Sequence, residues 1–316
     1  MTTPLAEQVS QRKSVSEGEP RDNLSAALVI LLYNSADYVA PCLMSVARQE
    51  RPPDELIIVD NASRDSSADV AEKVVKDLGL AAKILRQENN LGCCGGNNVG
   101  WRNSTSDVVV FLNPDTELTP RFLSEILTPL TRDPKVGIVG CKIYYPGTTV
   151  LQHAGACIFS NGRTEHFGAG KEDCAEYSNP RECDYVTGAA FAVRREILEL
   201  LNGFDEDFFP AYYEEVDLCT RARAQGWKIL YWPTAVLYHH ESVSLGVESE
   251  RFLVLYHRMR MRYCLKHLSF RQWLFEFIPE EIRLYQHNPP HHRRAIRSAW
   301  RDAFVWRLRK ATHRPS

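Results

Sequence analysis

Five short apolar runs separated by helix-like stretches constrain the fold of this chain more than any other feature. The runs are AALVILLY (26–33), ELIIVD (55–60), AAKILR (81–86), VVVFL (108–112) and VGIVGCK (136–142). Helix-like stretches such as SSADVAEKVVKDL and PRFLSEILTPL lie between most of them. Nearly continuous apolar strands that alternate with helices are typical of parallel sheets covered on both faces. The pattern therefore predicts an α/β fold with a mostly parallel central sheet flanked by helices.

Polar residues follow four of the predicted strands. These segments are Tyr33-Asn34-Ser35, Asp60-Asn61-Ala62-Ser63, Glu88-Asn89-Asn90-Leu91-Gly92 and Asn113-Pro114-Asp115. In open α/β sheets, ligands bind beyond the carboxyl ends of the strands, so the four segments together predict a binding site at one edge of the sheet. Each segment alone is also explained by turn chemistry, because Asn, Asp and Ser bond their own backbone in turns.

Asp115 stands directly after the apolar strand VVVFL and is preceded by Pro114. A carboxylate held at the edge of a sheet suits Mg²⁺, which usually takes one or two carboxylates together with substrate phosphates. The alternative is that Asp115 caps a helix that follows it. A metal-bridging role predicts a ligand that contains a diphosphate.

A second acidic group, Glu214-Glu215-Val216-Asp217, opens a predicted helix. The helix dipole favours acidic residues in a first turn, which explains the group without any chemistry. Successive helical residues point about 100° apart, so Glu214 and Asp217 are expected to share a face, whereas Glu214 and Glu215 are not. One of the two glutamates is a candidate general base, because a carboxylate in a partly closed cleft can accept a substrate proton.

His239 and His240 end a predicted strand, and the segment 89–100 is rich in Gly and Asn. A histidine there either ligates a metal through a neutral imidazole or bonds within the core. The need of Asp115 for a co-ligand favours ligation, without deciding between the two histidines. The glycines of NNLGCCGGNNVG would let a loop approach a nucleotide closely, although the segment is neither GxGxxG nor a P-loop.

The longest apolar run is far shorter than the roughly 20 residues that span a bilayer, so no transmembrane helix is expected. The polar segment 1–23 lacks an apolar signal core and is predicted to be a flexible tail, which places the protein in the cytoplasm. Nine cysteines without a CxxC pair indicate reduced, mostly buried thiols. The alternative is a zinc site formed in the middle segment, from Cys141, Cys157, Cys174 and Cys183.

Charge is distributed unevenly along the chain. Residues 251–316 contain fifteen Lys or Arg against four Asp or Glu, a net charge of about +11, whereas the first 250 residues carry −13. Residues 248–316 are predicted to form a basic helical extension. Its helices either pack on the rest of the protein with solvated arginines or bind an anionic membrane surface. Nucleic acid is not an expected partner, because no nucleic-acid-binding motif accompanies the charge.

Seven segments occur in the order and approximate spacing of glycosyltransferase family 2, and the chain most resembles its rhamnosyltransferase-like branch. The segments are VILLYNSADYVAPCLMSVARQ, IIVDNASRDSS, ENNLGCCGGNNVG, FLNPDTELT, YVTGAAFAVRREI, GFDEDFFPAYYEEVDLCTRARAQGWKILYWP and LYHHES. The resemblance covers about residues 26–246. It implies a GT-A catalytic domain over 24–247, a nucleotide-diphosphate sugar donor, a divalent cation (Mg²⁺ or Mn²⁺) and inversion at the anomeric carbon.

The resemblance also implies roles for single residues. Asp60 matches the residue that pairs with a pyrimidine base, Asp115 the final acid of the DxD element, and His239 the metal-side histidine. Glu215 matches the second acid of a Glu-Asp motif and is the implied catalytic base, with Glu214 beside it. The residues implied to contact the nucleotide or the donor sugar are Tyr33, Asn34, Asp60, Asn61, Gly96, Asn97, Asn113, Asp115 and Gly188.

Two positions depart from the pattern of the family. Asn113 replaces the first aspartate of DxD, and Glu215 stands where aspartate is commoner. Both are interpreted as accepted variants of the branch.

The implied reaction is metal-dependent transfer of L-rhamnose from dTDP-L-rhamnose to a glycan or to a polyprenyl-diphosphate-linked saccharide. Transfer from a UDP-hexose and non-catalytic binding of a nucleotide sugar are the alternatives. A sugar nucleotidyltransferase would place a Gly-rich, Arg-containing loop after its first strand, where this chain has LYNSADYV.

Overall fold

The computed structural model describes residues 23–241 and 249–312. Apart from Asn23, the predicted tail lies outside the described residues, and so does the predicted domain boundary at 247 and 248. Both stay predictions.

The strands within these ranges are β1 (Ala26–Leu32), β2 (Glu55–Asp60), β3 (Ala82–Arg86), β4 (Val108–Leu112), β5 (Thr116–Leu118), β6 (Val136–Tyr144), β7 (Leu151–His153), β8 (Ala156–Ile158), β9 (Thr164–His166), β10 (Arg181–Glu182), β11 (Ala190–Arg194) and β12 (Lys228–His239). The helices are α1 (Ala36–Ala47), α2 (Ser67–Asp77), α3 (Gly92–Arg102), α4 (Phe122–Arg132), α5 (Arg195–Leu201), α6 (Glu214–Ala224), α7 (Glu250–His267), α8 (Phe270–Gln272), α9 (Ile278–His287) and α10 (Pro290–Thr312). A π-helical segment, Trp273–Phe277, joins α8 to α9, and short 3₁₀ turns lie at Ala175–Tyr177 and Glu206–Phe208.

One sheet organises the molecule, with the strand order β10-β12-β6-β11-β4-β1-β2-β3. The pairs β3-β2, β2-β1, β1-β4 and β6-β12 are parallel, and β11 is antiparallel to both of its neighbours. All five residues of β4 are buried, which explains why its sequence is apolar throughout. The predicted α/β architecture, a mostly parallel sheet flanked by helices, is confirmed.

Two short strands extend this sheet beside the end of β4. β5 pairs with β12 in antiparallel fashion and sets Thr116 opposite His239. β7 pairs with β6 and sets His153 opposite Ile143. Because β12 and β6 are themselves neighbours, the segments around Asp115 and Gln152 both approach the end of β12.

The glycine-rich segment 89–100 was expected to be a loop beside a nucleotide. It is mostly helical, so the expected loop conformation is wrong. Helix α3 begins at Gly92 and lies against β1. A Cβ atom on Gly96 would collide with Leu31, and one on Gly100 would collide with Val29. The glycines therefore serve the close approach of helix to sheet, which outweighs their poor helix propensity.

The C-terminal helices pack on the sheet domain through α7. Arg260 of α7 is fully buried, with Nη2 2.6 Å from Oε2 of Glu281 in α9, and its guanidinium donates to the carbonyl of Asn161 at 2.7 Å. Met259, Tyr263 and Cys264 of α7 belong to the same apolar core as residues of β4 and α6. Across the described ranges, every helix is too short or too polar to cross a membrane.

Candidate active site

The ends of β1 and β2 are tied together at the carboxyl edge of the sheet. Asn34, whose φ of 50° is left-handed, accepts the backbone N–H of Arg64 on its side-chain oxygen at 2.8 Å. Its own N–H donates to the hydroxyl of Ser63 at 3.1 Å. Tyr33 is 46% exposed beside this link. The structure therefore brings two of the predicted polar segments to one place.

Asp60 and Asn61, which follow each other at the end of β2, have different surroundings. The Asp60 carboxylate accepts the N–H of Ser63 at 3.4 Å. Asn61 is 2% exposed, donates to the carbonyl of Gly92 at 3.1 Å and accepts the N–H of Leu91 at 2.9 Å. Its amide therefore fixes the start of α3, and its contact with the nucleotide stays a prediction.

The two α3 residues expected at the nucleotide also differ. Asn97 is half-buried, whereas Gly96 is buried against Leu31 of β1. Gly96 therefore packs against the sheet, and the implied contacts of Gly96 and Asn97 with the nucleotide stay predictions.

Asp115 is held in a short turn between β4 and β5. The N–H of Asn113 donates to the carbonyl of Ala189 at 2.8 Å, and the hydroxyl of Thr116 donates to the carbonyl of Asn113 at 2.7 Å. Pro114 lines a narrow apolar gap beside Leu32. The next helix, α4, begins only at Phe122 with Arg121 as its N-cap, so Asp115 does not cap it.

His239 is the histidine that meets Asp115. Its Nε2 lies 3.2 Å from Oδ1 of Asp115, because the pairing of β12 with β5 sets it opposite Thr116. Nε2 of His240 instead lies 2.8 Å from Oε1 of Glu117, on a more exposed part of the same two strands. The geometry thus distinguishes two histidines that the sequence left equivalent.

The pair Asp115 and His239 fits a divalent cation as a partial ligand set. Carboxylate oxygens suit Mg²⁺ and Mn²⁺, and neutral imidazole is a common nitrogen ligand. A separation of 3.2 Å is close to the edge of an octahedron with Mg²⁺–ligand distances of 2.0–2.1 Å, which is about 3.0 Å. Among the residues that the structure describes, no group of three or more His, Cys, Asp or Glu side chains could hold a metal ion. The remaining ligands would therefore come from a bound diphosphate and water.

The cysteines of the middle segment form no such group either. Cys141 and Cys183 are buried, Cys157 is half-buried and Cys174 is exposed. The expectation of mostly buried thiols is confirmed for the chain, since six of the nine cysteines are buried.

The acidic turn at the start of α6 follows two tyrosines in left-handed conformation. Tyr212 has a φ of 78° and Tyr213 a φ of 69°. Such backbone costs about 1–3 kcal/mol per residue and persists only where the surroundings fix it. Here the buried Tyr213 donates its hydroxyl to the carbonyl of Gly162 at 2.7 Å, and the Tyr212 ring meets Phe252 of α7 edge-on at 5.4 Å. These contacts determine where the two glutamates point.

Glu214 and Glu215 are both half-buried, and their charges interact. Burial raises the pKa of Glu214, and the neighbouring charge of Glu215 raises it further. Burial also raises the pKa of Glu215, and backbone hydrogen bonds, including one from Gly188, partly offset the rise. The Glu215 carboxyl carbon lies 3.7 Å from the position of a Cβ on Gly188. A carboxylate whose pKa is raised by burial in this way is a plausible general base near neutral pH.

Asp217, three residues after Glu214 in the same helix, contacts α7. It is fully buried, and its carboxylate lies 2.6 Å from Nζ of Lys266 and 2.7 Å from Nε2 of His267. Arg221 contacts its other oxygen at 2.6 Å. Burial alone would raise the pKa of Asp217, but the hydrogen bond from His267 and the two nearby cations lower it to about 2. Asp217 is therefore an anchor and not a reacting group.

The segment Gly188-Ala189 joins the two acidic parts of the site. Gly188 borders the Glu215 carboxyl, and the carbonyl of Ala189 accepts the N–H of Asn113, two residues before Asp115. The register of β11 with β4 sets Ala190 opposite Leu112. Asp115 thus follows the end of β4, and Glu215 contacts Gly188, just before the start of the neighbouring strand β11.

Sequence patterns do not identify one residue of this cluster, Gln152 of β7. Its amide donates to the backbone carbonyl of His239 at 2.6 Å, and its side-chain oxygen lies 2.9 Å from Nδ1 of the same histidine. The only available signal was a single amide inside a short strand, which resembles no motif.

The family model described as Glycosyl transferase family 2 matches residues 27–201. The chain belongs to glycosyl transferase family 2. That match covers the strand ends that carry Asp60, Asp115 and Gly188, and it ends before α6.

Curated relatives resemble the chain over different shares of their length. An uncharacterized protein, y4gI, of Sinorhizobium fredii is 32% identical over 61% of this chain and 22% of its own length. The O-antigen biosynthesis protein RfbC of Myxococcus xanthus is 28% identical over 87% of this chain and 21% of its own length. The chain therefore spans about a fifth of these two relatives. N-acetylglucosaminyl-diphospho-decaprenol L-rhamnosyltransferase of Mycobacterium tuberculosis is 25% identical over 73% of this chain and 81% of its own length.

Solved structures confirm the GT-A fold expected of the family. The mannosyltransferase PcManGT of Pyrobaculum calidifontis, in complex with GDP-Man and Mn²⁺, has a TM-score of 0.60 at 18% identity and covers 98% of this chain and 81% of its own. GalNAc-T7 with UDP, GalNAc and Mn²⁺ has a TM-score of 0.66 at 14% identity, covering 86% of this chain and 52% of its own. At these identities the likeness shows the fold alone.

Proposed function

We propose that this protein is an inverting glycosyltransferase that moves a sugar from a nucleotide-diphosphate donor to an acceptor hydroxyl. The observation that carries the proposal is that Glu215, a half-buried glutamate with a raised pKa, lies at the same sheet edge as the Asp115 and His239 pair. A non-catalytic binder would have no use for a carboxylate whose pKa burial has raised at this edge.

The residues divide the work of the reaction. Glu215 takes the proton of the acceptor hydroxyl, whose oxygen then attacks the anomeric carbon from the face opposite the diphosphate. Asp115 and His239 would hold Mg²⁺ or Mn²⁺, and the bound cation supplies positive charge to the departing diphosphate. Tyr33, Asn34 and Asp60 border the nucleotide.

The best candidate for the donor is dTDP-L-rhamnose, and for the acceptor a glycan or a polyprenyl-diphosphate-linked saccharide. The name of the mycobacterial relative, a rhamnosyltransferase acting on N-acetylglucosaminyl-diphospho-decaprenol, supports this choice. Transfer from a UDP-hexose by the same residues is the alternative.

A donor panel tests the function. The full chain is incubated with dTDP-L-rhamnose, UDP-hexoses and GDP-mannose, each with Mg²⁺ or Mn²⁺, and release of nucleoside diphosphate is followed beside thermal shifts. We expect one donor both to stabilise the protein and to be turned over. Stabilisation without turnover, when an acceptor is present, would indicate a binding protein, and neither effect with any donor would overturn the proposal.

The dependence of activity on pH follows from the burial of Glu215. The base must be ionised, and burial raises its pKa above the ordinary value of about 4.3. We therefore expect kcat/KM to fall as pH decreases through the neutral range, with activity present above the raised pKa and lost below it. The measurement is a kcat/KM profile in buffers of constant ionic strength. An acid limb with its midpoint below about pH 5 would contradict the assignment.

We also propose that the C-terminal helices bind the surface of an anionic membrane. Nine of the sixteen large apolar side chains that are exposed in the described residues lie between 270 and 308. The three most exposed are Phe270 at 81%, Phe275 at 69% and Phe304 at 68%. Phe270, Leu274, Ile278 and Ile282 recur at intervals of four residues, as neighbours along one side of a helix do.

Basic side chains accompany this apolar surface. Arg271, Arg297 and Arg301 are exposed on the same helices, and none of them has an acidic partner within the described part of the chain. Glu281 and Asp302, by contrast, are paired with arginines of α7. Apolar side chains flanked by arginine suit the headgroup region of an anionic bilayer, where each charge contributes about 1 kcal/mol. Such a surface would bring a lipid-linked acceptor close to the enzyme.

Sedimentation with vesicles tests the membrane proposal. We expect the protein to sediment with vesicles that contain phosphatidylglycerol in preference to purely zwitterionic ones, and the doubly substituted Phe270→Ser, Phe304→Ser protein to bind at least about tenfold more weakly, since each buried Phe contributes about 1.5–3 kcal/mol. The control is the double variant Leu78→Ser, Leu200→Ser, which changes two exposed leucines outside the C-terminal helices. Equal binding to both kinds of vesicle would overturn the proposal, and self-association lost in the Phe double variant would assign the surface to a second copy of the chain. The cytoplasmic location itself stays a prediction.

A further inference from the structure

We propose that Gln152 is a positioning residue that fixes the tautomer of His239, so that the Nε2 lone pair of the histidine faces Asp115 and the two form the protein side of a cation site. The inference rests on the proposed function, because it concerns the cation that the reaction would use. It goes further by naming a residue to which the resemblance assigns no role and by giving it a specific task.

The orientation of the Gln152 amide is set by the backbone of His239. The main-chain carbonyl of His239 can only accept a hydrogen bond, and the Gln152 side chain approaches it to 2.6 Å. The nitrogen of the amide must therefore be on that side. Its oxygen is then directed at Nδ1 of His239, 2.9 Å away.

The tautomer of His239 follows from this orientation. An amide oxygen can only accept, so Nδ1 of His239 must carry the proton that it donates to Gln152. In a neutral imidazole the other nitrogen, Nε2, then has a lone pair. That nitrogen faces Oδ1 of Asp115 at 3.2 Å, so either a metal cation or a second ring proton must lie between the two atoms.

Gln152 is held firmly enough to perform this task. It is 8% exposed and belongs to β7, whose neighbour β6 lies directly beside β12 in the sheet. Its backbone is also engaged in a hydrogen bond with the ring of His166. Outer hydrogen bonds of this kind orient metal-ligating histidines, and their loss typically lowers metal affinity 10–100-fold.

The test compares Gln152→Met with the wild-type protein in two measurements that need no enzyme activity. Long-range ¹H–¹⁵N spectra of histidine-labelled, metal-free protein report the tautomer, with the His239 signals assigned from His239→Gln. Titration with Mn²⁺ alone, with the free ion followed by electron paramagnetic resonance, reports the affinity. We expect Nδ1 of the wild-type His239 to be protonated in the metal-free protein, and Gln152→Met to bind Mn²⁺ about 10–100-fold more weakly.

Two further variants separate positioning from packing. Gln152→Glu keeps an acceptor for Nδ1–H but loses the donor to the His239 carbonyl, so we expect it to bind Mn²⁺ more tightly than Gln152→Met. Gln49→Met is the matched control, because Gln49 is also 8% exposed. The substitution removes its hydrogen bonds to Ser45, Thr119 and Leu123, none of which involves His239. We expect it to lower the melting temperature and leave Mn²⁺ affinity unchanged.

Several results would overturn the proposal. They are an unprotonated Nδ1 of His239 in the metal-free wild-type protein, unchanged Mn²⁺ affinity in Gln152→Met, or an affinity of Gln152→Glu no higher than that of Gln152→Met. These outcomes leave the transferase proposal intact, because they concern only how His239 is oriented. If the wild-type protein bound no Mn²⁺ but turned over a donor, the cation site would be overturned while the transferase function stood.

Discussion

Replacing Glu215 with Gln is expected to lower turnover by about 10²-fold or more, the contribution of a positioned general base, while leaving nucleotide binding nearly unchanged. The amide has the size of the carboxyl group but cannot accept the proton of the acceptor hydroxyl. The side chain of residue 215 lies next to Gly188. An isosteric substitution keeps this contact, so it should disturb the segment around Gly188 little. The measurements are kcat with saturating donor and acceptor, and nucleotide affinity by calorimetry.

The matched control is Glu199→Gln, the same substitution at an exposed position on α5. It should turn over donor at the wild-type rate. A wild-type rate in Glu215→Gln would remove Glu215 as the base, and a parallel loss of nucleotide affinity would show that the substitution had disturbed the site as a whole.

Replacing Asp115 with Asn is expected to lower kcat by about 10²- to 10³-fold, the scale seen when one electrostatic contact to a developing charge is removed. The neutral amide keeps the shape of the turn but no longer offers a charged oxygen beside Nε2 of His239. Mn²⁺ affinity should fall together with kcat. Titration with Mn²⁺ and steady-state kinetics at several Mn²⁺ concentrations measure both effects.

The same two strands supply the control for Asp115. Glu117 and His240 form a second carboxylate and imidazole pair, 2.8 Å apart and more exposed. Glu117→Gln and His240→Gln should therefore leave kcat and Mn²⁺ affinity at wild-type values. If Asp115→Asn behaved like these two variants, the cation would have to bind elsewhere.

The sheet could be predicted closely because its inner strands are buried on both faces. β2 and β4 have the bounds of their apolar runs, and β1 and β3 differ from theirs by one residue. The polar residues after these strands were recognisable for the same reason, since the end of an apolar run marks the edge of the sheet. The pair of Asp115 and His239 could be expected only from the resemblance, because 124 positions separate the two residues in the chain.

Long-range packing accounts for what the sequence did not reveal. Four glycines in α3 favour a loop locally. Two of them, Gly96 and Gly100, allow the helix to lie against Leu31 and Val29 because they have no side chain. Asp217 fits the helical pattern of a first turn, but its partners in α7 lie about fifty residues further along the chain. The role of Gln152 depends on the pairing of three strands and has no local signature.

Helix α6 connects the basic C-terminal extension to the candidate active site. Its first turn carries Glu214 and Glu215, and Asp217 in the same turn contacts the last two residues of α7, Lys266 and His267. A polypeptide cut at residue 247 would keep all the described strands, yet Asp217 would lose two of its three side-chain partners, at a cost of about 3–5 kcal/mol. The shortest segment able to hold the acidic turn in place therefore runs through the end of α7, well past residue 201, where the match to the family model ends.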